Sequence, residues 1–212
     1  MSDKAEALFW EGHDLMMRAE YAQAEEKFAE AITHDNTSPQ LYYNLGKVQA
    51  FQDKYGEARD SLHCAVELDE KYVEAYALLA AVEAQDNRLQ QADLYFSMAY
   101  HMTPTEHKEK AKPYLAALGH VKLLQGDYRK GFELYENRQK MAGSTWDGTE
   151  SLVGKTLYVL GEGGIGDQIF FSRFLLPLCY MGATDIVFKV PTALSQFCLL
   201  YTSDAADDTP CV

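Results

Sequence analysis

Residues 8–31 read LFWEGHDLMMRAEYAQAEEKFAEA, and six positions in them, Leu8, Gly12, Tyr21, Ala24, Phe28 and Ala31, set a frame for much of the chain. A shift of 34 residues carries that frame onto Tyr42, Gly46, Tyr55, Ala58, Leu62 and Ala65. The same shift carries it again onto Tyr76, Ala80, Leu89, Ala92, Phe96 and Ala99, with Pro104 where such a unit would stop. A fourth copy, Leu115, Gly119, Tyr128, Gly131 and Tyr135, fits after a slip of five residues within Thr105 to Lys110. Small residues such as Gly12, Ala24 and Ala31 sit where two paired helices would otherwise clash, while Phe28 or Phe96 fills the neighbouring space. One such unit cannot bury its apolar face alone, and stacking three or more makes a continuous core.

This period and pattern resemble the tetratricopeptide repeat, a helix-turn-helix unit. The resemblance implies an α-helical solenoid over residues 1–140, with repeats at 5–38, 39–72, 73–106 and 112–140. It further implies a right-handed array whose concave side takes an extended peptide or another domain. Glu6, Phe9, His13, Tyr43, Lys47, Glu74 and Ala81 are the first-helix residues expected to face that side. The arrays of O-linked N-acetylglucosamine transferases are similar but carry an asparagine ladder. The corresponding positions here are Trp10, Asn44, Leu78 and Ala117, of which Asn44 alone matches.

Residues 141–154 are rich in Gly, Ser, Thr and Asp and read as a linker. Trp146 within it suits a plug between two domains better than a ligand platform. The run TLYVL, Thr156 to Leu160, has the length and composition of a buried strand. Four glycines follow within Gly161 to Gly166, where the main chain can take φ > 0 and a ligand can approach it closely. A helical pattern begins after Asp167, with Ile169, Phe170, Phe174, Leu175 and Leu178 as its apolar face. Met181-Gly182-Ala183 ends it, and Asp185 to Val190 reads as a second strand stopped by Pro191. Strand, helix and strand imply a parallel pair with a right-handed crossover, the start of an α/β Rossmann-like sheet.

Three readings of the glycine turn are open. Gly161, Gly163 and Gly166 satisfy the spacing of a dinucleotide-binding turn. Against it, no acidic residue ends the second strand, and Asp167 places a negative charge where a pyrophosphate would sit. Asp167 can also act simply as the cap of the helix that starts at Gln168. The third reading uses the domain order. An array ending in GDYRKGFELYENR, a Trp-Asp-Gly linker, and a strand followed by EGGIGDQIFFSRF resemble bacterial tetratricopeptide proteins with a C-terminal GT-B glycosyltransferase domain. That domain is related to the ADP-heptose heptosyltransferases.

The resemblance rests on Glu162, Gly164, Gly166, Asp167, Ile169, Phe171 and Arg173, while Gly163, Gln168 and Phe170 depart from the family string. It implies that residues 155–197 begin the N-terminal half of a GT-B domain. Asp167 would be the catalytic base that deprotonates an acceptor hydroxyl. Gly163, Gly164, Ile165, Gly166 and Gln168 would bind substrate. The nucleotide-sugar donor would belong to a second half, supplied in a full-length parent. Cys198 to Val212 resembles translated sequencing adaptor and is expected to be non-native. The first expectation is therefore an inactive fragment of a tetratricopeptide glycosyltransferase, and the alternative is a non-catalytic scaffold or peptide-binding protein.

Composition restricts the partners. A net charge of −13 and a pI near 4.8 exclude a nucleic-acid partner, whose phosphates would be repelled. The N-terminus lacks a secretory pattern and no apolar run reaches membrane-spanning length, so a cytoplasmic protein is expected. Cys64, Cys179, Cys198 and Cys211 form no CxxC pair and read as reduced thiols. The six histidines lie on the repeat helices or their loops with no second histidine at i+4 and read as structural or exposed; no metal and no cofactor are expected.

Overall fold

In the computed structural model, the described residues are 2–138, 146, 148–161, 168–169, 172–192 and 194. They divide into two compact units, Met1–Met141 and Ala142–Val212. The first unit holds α1 (Asp3–Met17), α2 (Tyr21–His34), α3 (Pro39–Ala50), α4 (Tyr55–Leu68), α5 (Val73–Gln85), α6 (Leu89–Met102), α7 (Lys108–Leu124) and α8 (Tyr128–Tyr135). Each helix packs on its predecessor and its successor along the chain. The five extra residues after the third pair are taken up by a 3₁₀ turn, Thr105–His107, and by the first turn of α7.

The frame residues explain the pairing. A Cβ on Gly12 would lie 3.0 Å from the Phe28 ring, one on Gly46 2.7 Å from Leu62 Cγ, and one on Gly119 2.6 Å from the Tyr135 backbone nitrogen. The two helices of a pair thus approach so closely that the first tolerates only a small residue at its crossing. Ala24, Ala58 and Ala92 on the second helices are fully buried, as are Phe28 and Leu62.

The turns inside the pairs repeat as well. Ala19, Asp53, Asn87 and Gly126 take φ of 60°, 59°, 57° and 86°. The next N–H in each turn reaches back to a helix carbonyl: Glu20 to Leu15 at 2.9 Å, Lys54 to Gln49 at 3.0 Å, Arg88 to Glu83 at 2.8 Å and Asp127 to Lys122 at 3.0 Å. This is the left-handed closure that ends a helix and satisfies its last carbonyls. Ala19 adopts it against a steric cost of about 1–2 kcal/mol that glycine at Gly126 avoids.

A polar contact joins each pair to the next. Glu25, Arg59 and Asp93 occupy one frame position on the second helices, and Gln49, Glu83 and Lys122 occupy another on the first helices that follow. Gln49 Nε2 donates to Glu25 Oε1 at 3.3 Å, Arg59 Nε lies 3.0 Å from Glu83 Oε1, and Lys122 Nζ lies 2.5 Å from Asp93 Oδ2. Glu83 is 2% exposed, so Arg59 neutralises a charge held away from water. The chemistry differs at each junction, which distinguishes correct neighbours from shifted ones. In α8 the same position is Phe132, which is exposed.

In the second unit, β1 (Thr156–Leu160) and β2 (Asp185–Lys189) pair in parallel, Thr156 opposite Asp185 and Leu160 opposite Lys189. Among the described residues the sheet is this pair, without the further strands of a Rossmann-like sheet. The strand bounds agree with the TLYVL reading, but its burial does not. Tyr158 and Leu160 are exposed, because no described element covers that face. The expected helix after Asp167 is also broken. Gln168 and Ile169 are helical, Arg173 and Phe174 form a turn, and α9 spans Leu175–Tyr180. Pro177 accounts for the restart, since it has no N–H to offer the Arg173 carbonyl and its ring would crowd it. Gly182, at φ 97°, ends α9. No helix among the described residues is long and apolar enough to cross a membrane.

Candidate functional site

The expected catalytic Asp167 and the backbone of Gly163, Gly164, Ile165 and Gly166 lie outside the described residues. Of the expected sugar-site residues, Gln168 is described. It is buried, and its Cδ lies 2.6 Å from where a Cβ on Gly161 would be, so it occupies the space that this glycine leaves open at the strand end. The Gly161 N–H continues the ladder to the Lys189 carbonyl at 3.4 Å. Trp146 donates its indole N–H to the Glu150 carbonyl at 2.8 Å, a contact within its own segment.

The first helices of the four pairs supply a second candidate surface. Between the end of α3 and α5 lies an open cleft of ≈ 360 Å³, lined by Phe51, Asp53, Tyr55, Leu78, Ala81 and Gln85 among others. Phe51 stays 54% exposed and stacks on Tyr21 at 5.0 Å. Its frame equivalents Met17 and Leu124 are exposed too, which makes an apolar residue at the end of the first helix a feature of three pairs. Tyr55 donates its hydroxyl to Asp53 Oδ1 at 2.6 Å, fixing one wall of the cleft.

Other residues expected on this face are placed as follows. Phe9 lies 6.5 Å from the His13 ring and edge-on to Trp10 and Phe28. Tyr43 lies 5.1 Å from Tyr72, and both are half-buried. Burial pushes both phenols up, and Glu74 adds to the shift in each. Burial also raises the Tyr114 phenol, again with Glu74 contributing. Asn44 is buried and donates its amide to the Gln40 carbonyl of its own helix at 2.8 Å. That bond occupies one of its two donors, and Trp10, Leu78 and Ala117 supply no amide at the other ladder positions.

Phe51, Tyr72 and Tyr114 were not legible as site residues. Phe51 could have been found by extending the frame to Met17 and Leu124. Tyr114 takes the frame position of Leu41 and Ala75, which are buried, so the frame marks it as core rather than as part of the face. Among the described residues, no group of three or more His, Cys, Asp or Glu could hold a metal ion.

No family model and no curated protein matches the chain. Solved structures do resemble it. MamA is 21% identical over 64% of this chain and 76% of its own, with a TM-score of 0.57. The first tetratricopeptide domain of Spaghetti (RPAP3), bound to the HSP90 peptide SRMEEVD, is 19% identical over 59% of this chain and 96% of its own, with a TM-score of 0.54. The Yersinia enterocolitica type III secretion chaperone SycD, in complex with a peptide of the translocator YopD, is 20% identical over 59% of this chain and 97% of its own, with a TM-score of 0.55. The helical part of the chain therefore has the fold of a tetratricopeptide solenoid.

Proposed function

We propose that the helical array is a non-catalytic scaffold that binds an extended peptide or a partner domain along α1, α3, α5 and α7. The observation that carries this is the cleft between α3 and α5, where exposed Phe51 and the side chains of Leu78 and Ala81 offer apolar surface beside Asp53 and Gln85. A mostly apolar hollow with a few polar groups is the ordinary form of a binding site. Peptides bound to the similar Spaghetti and SycD folds support the same use. In this reading the solenoid covers residues 1–140 as repeats 5–38, 39–72, 73–106 and 112–140. Residues 141–154 link it to an α/β part at 155–197, residues 198–212 are non-native, and the protein works in the cytoplasm without a cofactor.

The test is selection of random displayed peptides on the full chain, followed by affinity measurements on variants. Ala81→Arg fills the cleft and is expected to weaken the selected peptides by about tenfold or more, a loss of about 1.4 kcal/mol. Leu94→Arg, at an exposed position on α6, is the control and should leave affinity unchanged. Equal binding by wild type and Ala81→Arg would remove the cleft from the site.

A second reading, sugar transfer, is favoured by one observation: the parallel β1–β2 pair with α9 between its strands, and Gln168 set against Gly161 at the end of β1. This suits the opening of a Rossmann-like, GT-B N-terminal half. Asp167 would take the acceptor proton, and Gly163, Gly164, Ile165, Gly166 and Gln168 would hold the acceptor. A nucleotide-sugar donor would need a second α/β half in a longer parent. Sugar transfer by such a parent and by its Asp167→Asn variant tests this, since equal rates would exclude Asp167 as the base.

A further inference from the structure

The cleft between α3 and α5 opens at a short side chain. Ala81 holds the frame position of His13, Lys47 and His120, so the other three pairs carry a long nitrogen-bearing side chain where the third pair leaves a hollow. The walls of that hollow are of two kinds. Leu78, Ala81 and Val82 of α5 and the Phe51 ring are apolar, and among the described lining residues Asp53 alone carries a charge.

That carboxylate is fixed in place. Asp53 takes φ 59°, its own N–H donates to the Ala50 carbonyl at 3.1 Å, and the Lys54 N–H donates to the Gln49 carbonyl at 3.0 Å. Its Oδ1 accepts the Tyr55 hydroxyl at 2.6 Å, while Oδ2 makes no hydrogen bond or ion pair with any described residue. Lys54 and Arg59, which flank Tyr55 in the chain, are engaged elsewhere: Lys54 by Glu25 at 2.7 Å, and Arg59 by Glu83 at 3.0 Å and by Asp86. The equivalent turn residues are Ala19, Asn87 and Gly126, so only this one of the four turns carries a carboxylate.

An apolar hollow with an acid at its exposed edge matches a side chain that is apolar along its stem and cationic at its head, as lysine and arginine are. The aromatic part of the lining favours the same sign, since ring faces carry negative potential. An acidic side chain would be repelled by Asp53, and a neutral one would forgo the charge term. An exposed ion pair by itself contributes little, so selectivity needs the hollow as well as the charge. The net charge of −13 acts in the same direction at longer range, concentrating basic ligands near the surface.

Resting on the peptide-binding reading above, we infer that this cleft is a pocket for one lysine or arginine side chain of the bound peptide, its stem against Phe51, Leu78 and Ala81 and its head at Asp53. The array therefore selects basic peptides, and the incoming side chain stands in for the one that Lys47 supplies from within the second pair.

Short fluorescein-labelled peptide pools, identical except for a central position held as Lys, Arg, Gln or Glu, test this by polarisation with the full chain. The Lys and Arg pools are expected to bind about tenfold tighter than the Gln pool, with the Glu pool weakest. Asp53→Asn should bring the Lys and Gln pools to equal affinity. It keeps the turn, because Asn87 takes φ 57° at the equivalent position. Ala81→Lys fills the hollow from within and should also abolish the preference. Asp60→Asn removes the same charge from an exposed position on α4 and should keep it. Equal binding of the Lys and Gln pools to wild type would overturn the pocket and leave peptide binding intact. A preference that survives Asp53→Asn or Ala81→Lys would overturn it as well, and its loss in Asp60→Asn to the same degree as in Asp53→Asn would overturn it in favour of bulk charge. Failure of every pool to bind wild type would overturn both readings.

Discussion

Ala24, Ala58, Phe28 and Leu62 in the solenoid are fully buried, whereas Tyr158 and Leu160 on β1 and Val187 on β2 remain exposed. Both regions are built from apolar residues at regular spacing, yet only the first closes its core from what lies next to it in the chain. A helix pair needs one more pair, and the repeat delivers it 34 residues later. A strand pair satisfies its ladder locally but has two faces, and each needs a covering layer that sequence neighbours do not supply. Stability in the solenoid is thus a sum of intrinsic and neighbour terms, while a sheet's stability depends on how many elements assemble on it.

The contrast can be broken at its strongest point by Phe28→Ala. Emptying a fully buried ring site against Gly12 should cost about 3–5 kcal/mol, read as a drop in the urea midpoint of the helical signal. Arg59→Ala comes next, with a cost of about 3 kcal/mol, because Glu83 then stays buried with Arg88 at 3.8 Å as its remaining cation. Adding Glu83→Met to Arg59→Met should recover much of that loss in the same assay, since an apolar pair leaves no charge stranded.

A smaller effect comes from pH. Burial alone would raise the Glu25 carboxyl, but hydrogen bonds from Lys54, Gln52 and Gln49 together hold it below the ordinary carboxylate range. A depressed folded-state value means the contribution is present above the unfolded value, about pH 4.3, and is lost as pH falls through the folded one. Urea midpoints measured from about pH 6 down to about pH 3 should therefore fall more steeply for wild type than for Glu25→Gln. The smallest change is expected at Tyr158→Ser, within about 0.5 kcal/mol, because that ring is already in water. A large loss there would show that the β1 face is covered, and the contrast between the two regions would disappear.

Much of the solenoid was legible because its physics is local. Gly12, Gly46 and Gly119 announce close crossings, and Ala24, Ala58 and Ala92 announce their partners. The polar contacts between pairs were not legible, because Glu25–Gln49, Arg59–Glu83 and Asp93–Lys122 change chemistry at every junction and leave no repeated letter. The candidate site was half legible. Tyr43, Glu74 and Ala81 stood out by frame position, while Tyr72 reaches the Tyr43 ring from the turn that precedes α5. In the α/β part the strand limits were readable from composition and from Pro191, but the break before α9 depended on Pro177 prevailing over an otherwise continuous apolar pattern.

By itself the sequence determined the repeat, the pairing of neighbouring helices, the two strand positions and an acidic surface, since each follows from residue type at short spacing. Only the tertiary structure decided that Arg59 meets Glu83, that the Tyr72 ring comes to lie beside Tyr43, and that no described element covers one face of β1. Those outcomes depend on which distant atoms share a dielectric and exclude the same water, and periodicity along a chain carries no information about that.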